Sequence, residues 1–72
     1  MTEQRIAQIL STMFGVEETE VSRSASFTGD MLLNSFDFLQ FLYAVQTECG
    51  RTIPMEDAVK LKTVGALCDY LE

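Results

Sequence analysis

Apolar residues Ile6, Ile9, Leu10, Met13 and Phe14 recur at spacings of three and four, which aligns them along one face of a helix. The spacing predicts an amphipathic helix over residues 2–14, with Thr2 as its cap and Gly15 as its stop. From Gly15 to Asn34 the periodicity disappears. Ser, Thr, Gly and Glu dominate, and Val16, Val21 and Phe27 stand as isolated apolar residues, a loop pattern. A loop of about twenty structureless residues is uncommon unless it is functional or pinned by its own side chains. Val21 and Phe27 are the candidate pins.

Residues 35–49 contain neither Gly nor Pro and stop at Gly50. Phe38, Phe41, Leu42, Val45 and Cys49 fall at i, i+3, i+4, i+7 and i+11, a core-facing stripe on a second helix. Phe36, Leu39 and Tyr43 repeat at the same spacings well round the helix, making it apolar on two sides. Ile53-Pro54 breaks the chain, and residues 55–59 form a short helical turn with Pro54 just before it. Thr63 caps a last helix over residues 64–71, whose Val64, Leu67, Cys68 and Leu71 point inward. The expected fold is all-α, one domain over residues 1–72: three main helices, one short helix and a long first loop. No strand-like alternation or internal repeat competes with it.

With 72 residues, 47% of them hydrophobic, the chain builds one modest core, worth about 3–5 kcal/mol of net stability. Five basic residues against eleven acidic ones give a charge of −6, which repels nucleic acid and anionic lipid and favours partners with basic patches. The chain has no histidine, so neither a Ser-His nor a Cys-His nucleophile can be assembled within it. Cys49 and Cys68 lack the spacing of a zinc site and are expected to be reduced packing thiols. Asp30, Asn34 and Asp37 do not make a calcium loop, because Leu32 stands where a ligand is required. Met1 is followed by polar Thr2-Glu3-Gln4-Arg5 rather than a signal-peptide core, and no apolar run is long enough to span a bilayer. A cytoplasmic protein without membrane insertion is expected.

The run Ala25-Ser26-Phe27-Thr28-Gly29-Asp30-Met31-Leu32-Leu33-Asn34-Ser35-Phe36 resembles the attachment region of the acyl and peptidyl carrier protein family. The resemblance continues without a gap through Ile53-Pro54, Thr63-Val64 and Asp69-Tyr70-Leu71. It implies a right-turning helical bundle in which Ser35, at the start of the second helix, receives 4′-phosphopantetheine from coenzyme A. The placement has a physical reason: a helix N-terminus offers free N–H donors and a favourable dipole to a phosphodiester. A carrier holds its cargo as a thioester and performs no chemistry itself, so no catalytic residue and no metal is expected. The implied partners are a phosphopantetheinyl transferase, a loading enzyme that works by adenylation or acyl transfer, and a downstream synthase or transferase, all meeting a monomer.

Two positions depart from the family pattern. Asn34 precedes the serine where aspartate is usual, and Leu32 replaces the glycine of the fatty-acid type motif. Leu32-Leu33-Asn34-Ser35 is closer to the Leu-Leu-Asp-Ser of D-alanyl carriers and of stand-alone carriers in nonribosomal peptide or specialised pathways. Asp37 is the sole acidic residue between Ser35 and Thr47, and Gln40 and Gln46 stand where fatty-acid carriers tend to have glutamates. A specialised acyl or aminoacyl pathway is therefore expected ahead of fatty-acid or polyketide synthesis. The expected docking face is Phe36, Leu39, Gln40 and Tyr43, with Glu56 and Asp57 beside it on the short helix. Two plainer readings stand alongside. Asn34-Ser35 can be an ordinary helix cap, and a carrier fold that has lost its arm can serve as an interaction module through the same aromatic residues.

Overall fold

In the computed structural model, which describes residues 1–72, helix α1 runs Glu3–Phe14. The Thr2 hydroxyl accepts the Arg5 amide at 3.1 Å, and Gly15 closes the helix in the left-handed conformation (φ 71°). Helix α2, Ser35–Cys49, ends the same way on Gly50 (φ 68°), a conformation that costs glycine little. Helix α3 is a four-residue turn, Met55–Ala58, and α4 runs Val64–Tyr70, with the Thr63 hydroxyl accepting the Ala66 amide at 3.2 Å. Val59 and Leu71, expected inside the last two helices, instead sit just past their ends, although Leu71 remains buried.

The inward stripes meet in one core. Ile6, Ile9 and Leu10 of α1 join Phe41, Leu42 and Val45 of α2 and Val64, Leu67 and Cys68 of α4. Cys49 is half-buried, Cys68 is buried, and both are free thiols. Burial raises the Cys68 thiol above its ordinary pKa, because a thiolate loses its hydration there.

The long first loop is pinned through Phe27, as expected from sequence, and it also holds a short turn that the sequence did not signal. Glu18–Glu20 form a 3₁₀ turn packed on α1, and Ala25, Phe27 and Leu33 are core residues. Phe27 sets its ring 5.3 Å from that of Phe38 and 5.2 Å from that of Phe41, both pairs tilted. Val21, the other expected pin, is only half-buried against this cluster. The loop backbone also finds partners. The Phe27 amide donates to the Lys62 carbonyl (3.1 Å), the Val64 amide to Ala25 (3.1 Å) and the Gly65 amide to Arg23 (2.8 Å). These bonds make a single antiparallel bridge between Ser26 and Thr63. Paired loop amides satisfy the rule that buried backbone groups must be bonded, and they tie the loop to the start of α4.

Surface contacts brace the same joints. Arg5 bonds Glu48 at 2.8 Å between α1 and α2, and Arg23 bonds Asp69 at 2.8 Å between loop and α4. Both pairs are exposed and add little stability. The Tyr70 hydroxyl donates to the Asp57 carboxylate at 2.8 Å and holds α3 against α4. That bond to a carboxylate raises the Tyr70 pKa above its ordinary value of 10.0. A raised acid is a stabilising neutral form, so its contribution is complete below about pH 10 and disappears as pH climbs through the higher folded value.

Replacing Phe27 by Ala is expected to cost about 3–5 kcal/mol, as much as a protein of this size usually possesses. Urea titration followed by circular dichroism should show no cooperative transition for Phe27→Ala, whereas Phe27→Leu retains one at lower midpoint. Tyr70→Phe should speed amide exchange in α3 while leaving the α2 core amides slow. It should also remove the tyrosine's share of the stability loss above pH 10, as read from thermal midpoints across an alkaline pH series.

Candidate functional site

The approach to Ser35 is built by two nested turns. In the first, the Ser26 hydroxyl accepts the amides of Gly29 (3.1 Å) and Asp30 (2.9 Å) while the Asp30 carboxylate accepts the Ser26 amide at 2.8 Å. Asp30 is thereby committed to shaping the loop. The second turn closes when the Leu33 amide donates to the Phe27 carbonyl at 3.0 Å and Leu33 enters the core. Between them Leu32 is forced to φ +59° with 80% of its surface exposed. This is the position where the fatty-acid motif has glycine, and a left-handed non-glycine residue costs roughly 1–2 kcal/mol.

Asn34 then caps α2, its side-chain oxygen accepting the Asp37 amide at 2.8 Å. Asparagine and aspartate serve equally well in this position, so the departure at Asn34 leaves the local structure intact. Ser35 is the first residue of α2 and is exposed. Its hydroxyl takes part in none of the chain's hydrogen bonds, and the Ser35 and Phe36 amides have no backbone partner. The side chain that caps the helix is therefore Asn34, which leaves the serine oxygen free.

Beside Ser35 lies a cleft of about 310 Å³. Phe27, Phe38, Ala58, Val59 and Leu61 give it an apolar lining, and Thr28, Ser35 and Lys62 supply its polar groups. A larger depression on the loop, about 550 Å³, is lined by Glu17, Glu20 and Asp30 and contains no expected site residue. Three carboxylates make it a poor place for an anionic group.

Of the expected docking residues, Phe36 (66%), Tyr43 (64%) and Leu39 (44%) face solvent, so the second apolar stripe of α2 is surface and not core. Gln40 and Glu56 are exposed as well. Asp57 is half-buried and bonded to Tyr70, so only Glu56 of the two acids has a free side chain. Sequence periodicity missed Leu32, Met55 and Val59, which are all exposed. Together with the α2 stripe they account for every exposed large hydrophobic residue except Met13. In the sequence Met55 and Val59 are only the ends of a short turn, and nothing local signals that they face solvent. Gln46 is half-buried, accepts the Ile53 amide at 2.8 Å and donates to the Leu42 carbonyl at 3.3 Å. A carboxylate could not make the second bond, so this glutamine is explained by structure rather than by partner choice.

Leu32→Gly is expected to stabilise the protein by about 0.5–1 kcal/mol, the left-handed penalty less the added freedom of glycine in the unfolded chain. A rise of a few degrees in thermal midpoint would register it, and an unchanged or lower midpoint would show that Leu32 carries no such strain.

The family model described as the phosphopantetheine attachment site matches residues 4–71. The solved structure of the acyl carrier protein from Enterococcus faecalis resembles this chain at a TM-score of 0.81 and 33% identity, over 99% of this chain and 95% of that one. Members of the matched family are generally non-catalytic and work with a phosphopantetheinyl transferase and with synthetic enzymes. On these matches and this helical fold, the chain belongs to the phosphopantetheine-binding carrier protein family, whose cofactor is covalently attached 4′-phosphopantetheine.

Proposed function

We propose that this protein carries an acyl or aminoacyl group on 4′-phosphopantetheine attached to Ser35, as one carrier domain acting in the cytoplasm, and delivers it to enzymes of a specialised pathway of nonribosomal-peptide-like or D-alanyl type. The observation that carries the reading is the free Ser35 hydroxyl at the first position of α2, unbonded and exposed beside two unpartnered amides. An incoming phosphoryl group meets hydrogen-bond donors and the positive end of the helix there. No histidine exists in the chain, so the base that takes the Ser35 proton comes from the modifying transferase. When attached, the arm supplies a terminal thiol that holds cargo as a thioester. The protein itself orients the attachment point and offers a surface, and it catalyses nothing.

The surface is Phe36, Leu39, Gln40 and Tyr43 on α2, with Glu56 on α3 and with Leu32, Met55 and Val59 added by the fold. Apolar residues flanking an attachment serine suit brief contacts with several partners better than one permanent interface. Gln40, exposed on this face in place of an acidic residue, and the absence of any basic residue from α2 support partners that dock by apolar contact, as expected of a specialised pathway.

A second reading, an acyl carrier of fatty-acid or polyketide synthesis, is favoured by the likeness to the Enterococcus faecalis acyl carrier protein and by the apolar cleft beside Ser35. Loading trials divide the two. Transfer of an amino acid by an adenylation enzyme supports the first, and transfer of a malonyl group by a malonyl transferase supports the second.

Incubation with coenzyme A, magnesium and a broad-specificity phosphopantetheinyl transferase should add one arm to the wild type and none to Ser35→Ala, read by intact mass. An arm on Ser35→Ala would move the site elsewhere. Failure of the folded wild type with several transferases would favour the armless interaction module.

A further inference from the structure

We propose that Lys62, assisted by the Thr28 hydroxyl, holds the phosphodiester that joins the arm to Ser35, and so lays the arm along the cleft toward α3. The inference rests on Ser35 being the attachment site. A phosphodiester brings a permanent negative charge to a chain already at −6, two residues from the half-buried Asp37. A nearby cation is needed to offset this repulsion.

Few cations are free to do so. Arg5 is engaged by Glu48, and Arg23 by Asp69 and Glu3. Arg51, Lys60 and Lys62 have no carboxylate partner, and of these three Lys62 alone lines the cleft that contains Ser35. Its backbone is held in place while its ammonium is not. The Lys62 carbonyl accepts the Phe27 amide at 3.1 Å, and its neighbours are the buried Leu61 and the helix cap Thr63. Thr28 follows Phe27 directly, lines the same cleft, and has a hydroxyl with no partner in the chain. The same contacts that pin the loop therefore bring one cation and one hydroxyl to the side of Ser35 that faces α3.

An exposed ion pair shifts an equilibrium only by up to about fivefold. The arm is thus biased toward the cleft without being locked there, and a partner that offers its own cations can draw it out. Salt weakens the bias, since the screening length is only about 10 Å at 0.1 M ionic strength.

The test uses the modified protein, with intact mass first establishing one arm on Ser35. Proton NMR then reads nuclear Overhauser contacts between the arm and Thr28, Val59 and Lys62, and carbon NMR reads the Lys62 side chain in apo and holo forms. The expected result is a shift of the Lys62 side-chain resonances on modification. Arm-to-cleft contacts should weaken several-fold in Lys62→Gln or in 0.5 M salt, and should be unchanged in Lys60→Gln. Equal apo thermal midpoints for Lys62→Gln and wild type exclude a folding defect. Unchanged Lys62 resonances on modification, or equal arm contacts in wild type and Lys62→Gln, would overturn the proposal. Absence of the arm by mass would instead overturn the Ser35 reading, and this proposal with it.

Discussion

The ring of Phe27, set between those of Phe38 and Phe41, fastens the long first loop to α2, and the rest of the site depends on that attachment. A loop of this length pays a large conformational cost to be ordered, and one aromatic anchor burying most of its surface is the largest single offset available to it. Backbone bonds from Arg23, Ala25 and Phe27 to residues 62–65 then add direction. The anchor stops the loop from drifting, and the bonds determine which way it runs. Ser35 consequently lies at a defined place between loop, α2 and α3 instead of at the end of a tether.

Local chemistry around the serine follows from this placement. The Ser26–Asp30 turn and the buried Leu33 bring the chain to the head of α2 at an angle that Leu32 meets only by taking a left-handed backbone. Asn34 takes the capping duty with its own side-chain oxygen, and the Ser35 hydroxyl is left without a partner. In this protein the departure from aspartate and the loss of glycine therefore differ in consequence. One is neutral to the local geometry, and the other is carried as strain.

The charge distribution has a similar logic. Both arginines near the helix packing are occupied by carboxylates, while Lys62, just past α3, has no carboxylate partner and lines the cleft beside Ser35. Apolar residues in turn occupy the exposed face of α2 where charge pairing could have been. Under the function proposed above, this arrangement would separate two tasks: holding an anionic linkage by charge and meeting partners by apolar contact.

Helix periods, the caps Thr2 and Thr63, the stops Gly15 and Gly50, and the location of Ser35 were all legible in the sequence, because each arises from interactions among residues a few positions apart. The two apolar stripes of α2 were also visible, with Phe38, Phe41, Leu42 and Val45 on the core side and Phe36, Leu39 and Tyr43 outward, as the burial has it. What the spacing did not show is what covers the inner side: the loop's Phe27 lies against Phe38 and Phe41, beside residues of α1 and α4, and Phe36, Leu39 and Tyr43 stay uncovered. Asp57 looked free until Tyr70 met it, and Gln46 looked like a mark of pathway until Ile53 met it. Nothing local marked Met55 and Val59 as exposed, and Lys62 had no visible connection to Ser35. All of these turn on contacts between segments distant along the chain, whose sequence spacing carries no record of their separation in space. The sequence by itself determined the helices and the serine at the head of the second; only tertiary packing decided which side chains surround it, because that depends on where the long loop comes to rest.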